Sequence, residues 1–153
     1  MNITNLKQEI RTTNANPSYN PLEWKNYKEG SCYVYAINMH INEFLLIGNI
    51  IGKQADEKSS DEELIEVLQE EIRFLGAEIQ LTTEDSKVEK NEYKICLIRD
   101  PRTGYYHFFR QDNNFLWSHK FPQEFPERVD YNGEDSFYYK SFSKRWYFKI
   151  RIQ

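Results

Sequence analysis

The segment Tyr105-Tyr106-His107-Phe108-Phe109-Arg110-Gln111-Asp112-Asn113-Asn114-Phe115-Leu116-Trp117-Ser118-His119-Lys120 decides the architecture of this chain. Two runs rich in aromatic side chains flank Asp112-Asn113-Asn114. Aromatics pack well on a pleated surface, whereas Asp and Asn favour tight turns, so the segment reads as an antiparallel hairpin of 105–110 and 115–120. Its register carries chemical weight. With Asp112–Asn114 as a three-residue loop, Phe109 stands opposite Trp117 and His107 opposite His119. Tyr105, His107, Phe109, Phe115, Trp117 and His119 then share one face. A two-residue loop would put His107 opposite Ser118 and separate the imidazoles. The first register is expected, because it gathers the large aromatics on a side that a helix can cover.

Upstream of the hairpin, 78–83 alternates in polarity, and 93–99 is apolar enough for a central strand that ends in the turn Asp100-Pro101-Arg102-Thr103-Gly104. Downstream, Pro122, Pro126 and Asn132-Gly133 mark 121–143 as loop, and 145–152 alternates again as a last strand. Helical signals come earlier in the chain. Ser60 and Glu63 form a capping box ahead of Leu64, Ile65, Val67, Leu68, Ile72 and Leu75 at helical spacing, with Gly76 as a stop. Glu62, Glu63, Glu66, Glu70 and Glu71 are expected on the solvated face. A second, buried helix is expected over about 32–39, capped by Ser31. Helices followed by an antiparallel meander predict an α+β fold, with N-terminal helices packed on a sheet of about five strands. The 153 residues suit one domain, 1–153, of which 1–28 reads as an extended arm.

Lys plus Arg number 20 against 24 Asp plus Glu, a net charge of −4, which argues against binding duplex DNA or an anionic lipid surface. The longest apolar run, Phe44-Leu45-Leu46-Ile47, is far too short to cross a membrane, and a cytoplasmic protein is expected. With 2 Cys and 3 His, any thiol, imidazole or metal chemistry runs through Cys32, Cys96, His40, His107 or His119. No ligand pair has the spacing of a zinc site, and no glycine-rich phosphate loop is present, so neither metal nor cofactor is expected.

Cys32 lies in the first turn of its helix, where partial positive charge and free amides favour a thiolate and an oxyanion. Burial as a small hydrophobe is the alternative reading. A nucleophilic thiol needs a base. His40 lies about 12 Å along the same helix, out of reach. His107, mid-strand, is the candidate base, with His119 bonded to its second nitrogen; against this stand a satisfied half-buried His107 and a solvent-facing His119. Cys96, between Ile95 and Leu97, reads as inert core. The last strand puts Arg145, Tyr147, Lys149 and Arg151 on one face, read as a charge-protected edge strand or, alternatively, as a surface for single-stranded nucleic acid.

A Cys at a helix start, then a His on a strand, then a polar residue on the next strand resembles the papain-like cysteine hydrolases, in particular the NlpC/P60 branch. More narrowly, Ser31-Cys32-Tyr33-Val34-Tyr35-Ala36-Ile37-Asn38, the hairpin from Tyr105 to Lys120, and Val129-Asp130-Tyr131-Asn132-Gly133 are similar to a group of uncharacterised bacterial and phage proteins. Their pattern runs N-C-Y-x-Y-A-x-N, then H-x-Y-R-x-D-x-x-G-x-W-S-H-K-P-G, then D-x-x-G. Departures are Ser31 for Asn, Asn114 where Gly is usual, and Phe121-Pro122-Gln123 in place of P-G. The resemblance implies a hydrolase of peptide or amide bonds, with Cys32 as nucleophile, His107 as base, His119 as orienting residue and a peptide or protein substrate. The alternative is a non-catalytic binding or inhibitory module on the same fold.

Overall fold

A computed structural model describes residues 17–129 and 141–152. Helices α1 (Cys32–Ala36) and α2 (Asp61–Phe74) precede strands β1 (Glu78–Thr82), β2 (Glu92–Arg99), β3 (Tyr106–Gln111), β4 (Trp117–His119), β5 (Glu127–Arg128) and β6 (Lys144–Arg151). The strands form one antiparallel sheet in the order β1-β6-β2-β3-β4-β5. The α+β arrangement is as expected, with six strands among the described residues against an expectation of about five. The extra one is β5, whose two residues are too few for alternation to announce. Asp130 lies outside the described residues. Among the described residues, no helix is long and apolar enough to cross a membrane.

Helix α2 begins at the predicted place. The Ser60 hydroxyl accepts from the Glu63 amide at 3.1 Å, and Leu64, Leu68, Ile72 and Leu75 are fully buried. Ser60→Ala should lower stability by about 1 kcal/mol in urea unfolding, the usual cost of an orphaned first-turn amide. Glu71 departs from the expectation of a mostly solvated acidic face, being 0% exposed. It follows Leu68 by three residues and Leu64 by seven, so helical geometry places it on the apolar stripe. Its carboxylate accepts from the Tyr33 hydroxyl at 2.6 Å and from the amides of Gly48, Ile50 and Ile51 at 3.0, 2.9 and 3.2 Å. One acid thereby ties α1 and the glycine-punctuated 48–52 loop to α2. Glu71→Gln should cost about 2 kcal/mol in the same assay, because an amide nitrogen then faces amide donors.

Helix α1 is shorter than the expected 32–39. The Ser31 hydroxyl caps it, accepting from Val34 N at 3.4 Å while donating to the Leu45 carbonyl at 2.5 Å. Asn38 ends it with φ at 57°, as Asn38 N returns to Tyr35 O and Met39 N to Val34 O. That pair of bonds is the left-handed C-terminal stop in which Asn substitutes for Gly.

The C-terminal strand is not an edge. β6 lies between β1 and β2, with Phe148 beside both Leu81 and Ile95. Phe148 and Ile150 are buried in the core under the helices, so a strand with one fully apolar face took an interior place despite its charged reverse side.

The hairpin departs from its expected register. Asp112 N donates to Leu116 O and Phe115 N to Asp112 O, so Asn113–Phe115 form the loop and Asp112 pairs with Leu116. Arg110 stands opposite Ser118 and Gln111 opposite Trp117. The cause is the left-handed bulge residue that closes such loops, here Phe115 at φ 67°. Counted from Asp112, the glycine of the quoted pattern falls on Phe115, not on Asn114. The shift is by an even number, so His107, Phe109, Trp117 and His119 still share a face. Tyr105 and Phe115 do not join them and are exposed.

That face is not the one the helices cover. Tyr106 and Phe108 pack with Tyr33, Leu97 and Phe148 beneath α1 and α2. Cys96, Ile98, Phe109 and Trp117 form a second cluster on the reverse side, against Phe121, Val129, Phe142 and Tyr147. β3 carries large apolar side chains on both faces, so hydrophobicity alone does not choose between them. Arg110 chooses, because its guanidinium finds its partners on the helix side.

Candidate functional site

Cys32 sits where expected, at the start of α1, free and partly exposed. Its thiol lies against the backbone of Phe108, on the helix-covered face, and burial pushes its pKa up to about 11. Backbone hydrogen bonding from Phe108, Tyr33 and Cys32 itself, and the Lys120 ammonium, pull the other way. The thiol is therefore held neutral at physiological pH. Cys32 packs against the helix-side cluster that holds Tyr33 and Phe108, whereas His107 contacts Phe109 and Phe121 of the reverse cluster, so the alternation along β3 sets the thiol and the imidazole on opposite faces of the sheet. The three residues expected to form one triad are divided by the sheet.

The two imidazoles do meet. His107 Nε2 and His119 Nδ1 are 2.9 Å apart, with ring planes nearly perpendicular. Phe121 stacks on His107 at 5.0 Å, and Phe109 lies 5.4 Å from His107 and 5.6 Å from His119, centroid to centroid. Only 5% of His107 and 7% of His119 is exposed. Desolvation lowers the His107 pKa to about 3, with a further contribution from His119, and lowers that of His119 to about 4. Both rings are neutral at pH 7, one nitrogen donating and the other accepting. His40 is remote from this pair, stacked on Trp24 at 4.5 Å and 2.9 Å from a Glu23 carboxylate oxygen. Cys96 is buried in the reverse cluster, its pKa raised by burial to about 12. Among the described residues, no three His, Cys, Asp or Glu side chains converge as a metal site would require.

A denser constellation lies on the helix side, in residues not singled out from the sequence. Arg110 Nε and Nη2 each approach Asp112 Oδ1 at 2.9 Å, and Nη1 donates to Asn38 Oδ1 at 3.1 Å. Nη2 donates to the Tyr35 hydroxyl at 2.9 Å, and the guanidinium covers the Tyr35 ring at 3.9 Å. Ser118 donates to Asp112 Oδ2 at 2.8 Å, so the Tyr35 hydroxyl, 2.5 Å away, donates to Ser118. The chain Arg110 to Tyr35 to Ser118 to Asp112 to Arg110 closes on itself, with every donor directed at an acceptor. Burial raises the Asp112 pKa and Arg110 opposes the rise.

Lys120 completes the set. Its ammonium, buried among backbone carbonyls, donates to Gly30 O at 2.6 Å, Lys28 O at 2.8 Å and Phe121 O at 3.2 Å. Desolvation lowers its pKa to about 8, with Glu29, Cys32 and Glu124 opposing. Tyr35, Arg110, Asp112, Ser118 and Lys120 each stand at a polar letter of the quoted patterns. The usable sequence signal was the pairing of Arg110 with Asp112 two residues on, across a hairpin from Ser118.

No family model matches the chain, and no solved structure matches it. It is similar to insoluble matrix shell protein 1 of Ruditapes philippinarum, with 29% identity over 119 residues that span 78% of this chain and 71% of the relative.

Proposed function

We propose that the chain is a non-catalytic binding or structural module whose partner is a peptide or protein. The observation that supports this reading is the sheet that separates the Cys32 thiol from His107 and His119 and leaves the thiol without an imidazole base. The residues that resemble a hydrolase pattern instead make internal contacts: a closed ring around Arg110, a histidine pair under aromatic cover, and a lysine clamped on three carbonyls. The similarity to a protein named for an insoluble shell matrix accords with a structural or binding role.

A second reading is a papain-like, NlpC/P60-type thiol hydrolase acting on a peptide or amide bond. One observation favours it: Cys32 opens a capped helix, keeps partial exposure and feels the Lys120 ammonium. Alkylation of the native protein with iodoacetamide separates the two. The binding module is expected to alkylate slowly at neutral pH, with a rate that climbs through pH 9 and is indifferent to His107→Gln. Fast alkylation with a neutral apparent pKa that His107→Gln abolishes would establish the hydrolase.

A further inference from the structure

The closed hairpin loop ends in a residue that its backbone conformation disfavours. Phe115 adopts φ 67°, in the left-handed region that costs an L-residue with a bulky side chain about 1–2 kcal/mol and costs glycine nothing. Its ring stays mostly in solvent, being 67% exposed, and the following Leu116 is 51% exposed. The loop around it is rigid: Asp112 N, Phe115 N and Leu116 N are all bonded within it, and Asn113 N donates to Pro17 O at 2.8 Å. A strained, outward-facing aromatic on a rigid support is a feature that intramolecular packing does not explain.

Beside the ring opens a cleft of about 280 Å³ with a mixed lining: Pro17, Val88 and Tyr93 are its apolar part, the 111–113 segment and the acids and lysine of 89–92 its polar part, and Phe115 lies on its border. A benzene-sized ring needs a cavity of about 150 Å³, so the cleft has the volume for one aromatic side chain against its Pro17, Val88 and Tyr93 side. The patch thus carries both a protruding ring and a receptacle for one, together with charges of both signs. Such self-complementarity is what a two-fold interface requires, since each surface must serve as its own partner.

We propose that this patch is a homodimer interface in which Phe115 of each copy enters the cleft of the other, with Lys90 of one copy facing Glu89 and Glu92 of the other. Leu116 packs at the rim. With one aromatic anchor per copy the dimer is weak and depends on concentration. The proposal stands whether or not Cys32 is reactive, because the hairpin tip and the thiol are independent features.

Sedimentation velocity of the full chain over a concentration series tests it, alongside thermal melting. Wild type should pass from monomer to dimer. Phe115→Gly should weaken the dimer by at least about 30-fold, as expected for loss of a central aromatic anchor. It should also raise the melting temperature of the dilute monomer by roughly 2–4 °C, by relieving the left-handed strain. Phe115→Ala should weaken the dimer equally without that rise. Lys90→Glu should weaken it and Glu89→Lys in the same chain should restore it. A wild type that stays monomeric throughout would overturn the proposal, as would a Phe115→Gly variant that dimerises normally or one that melts below wild type.

Discussion

Asp112→Ala is expected to remove about 3–5 kcal/mol of folding stability, read as a fall in the urea midpoint at unchanged slope. The magnitude follows from what the substitution leaves behind. Arg110 is 1% exposed, and Asp112 is its carboxylate partner. Without the acid, a guanidinium stays buried with only neutral acceptors, Ser118 loses its acceptor, and the donor sequence through Tyr35 is broken. Against a total of about 5–15 kcal/mol for a domain of this kind, one side chain then decides whether the chain stays folded at 37 °C. Ser118→Ala should cost less, about 1–2 kcal/mol, since it breaks the ring but leaves the ion pair. The double variant Arg110→Met/Asp112→Leu should recover most of the Asp112→Ala loss, because removing both charges removes the unpaired one. A double variant as unstable as Asp112→Ala would show that the ring acts through its shape rather than its charge.

That ring also marks the limit of what the sequence makes legible. Helix α2 was readable because Ser60, the leucine spacing and Gly76 are local signals, each acting within a turn or two. Strand order was not: nothing in Trp146-Tyr147-Phe148-Lys149-Ile150 says that β6 enters between β1 and β2, since alternation marks a strand but not its neighbours. The sequence reads the histidine pair onto one face through a register two positions from the observed one, and the pairing holds because parity, not the particular partner, sets which face a side chain takes. The Cys32 pairing failed for the complementary reason. It required knowing which face of β3 the helices cover, and Phe108 and Phe109 offer equal apolar area on the two sides. The decision falls to Arg110, a charged residue in a strand that reads most simply as solvent-facing. Glu71 misleads in the same way. In both cases a buried charge is invisible to hydrophobic periodicity, because its partners, Asp112 for one and the 48–51 amides for the other, come from turns whose conformation is set by the whole fold.

The reverse face carries the other large effect, which is acid sensitivity. Between pH 7 and pH 4.5 the protein should lose on the order of 3–5 kcal/mol of stability, followed by denaturant titration at a series of pH values. The sign follows from where each state takes up protons. In the unfolded chain His107 and His119 titrate near pH 6.5; in the folded protein desolvation holds them near 3 and 4. Below pH 6.5 the unfolded state therefore binds protons that the native state refuses. Stability is fully present above that value, falls as the pH drops through it, and stops falling once the native pair itself protonates near pH 4. Asp56, Asp61 and Asp100, whose pKa values are lowered in the fold, add their own losses only below the ordinary carboxylate range. Asp112, raised by burial, works in the opposite direction, since its native form takes up a proton before the unfolded one. Replacing the pair isolates its share: His107→Phe with His119→Leu should flatten the pH dependence between 6.5 and 4.5 while leaving the steeper acid limb in place. A double variant with the wild-type slope would assign the acid sensitivity to the carboxylates and remove the histidine pair from the account. The neutral hydrogen bond at 2.9 Å makes a stronger demand on the single variants. His119→Leu should cost stability even at pH 8, where protonation plays no part, because His107 Nε2 is then left facing a hydrocarbon inside an aromatic enclosure.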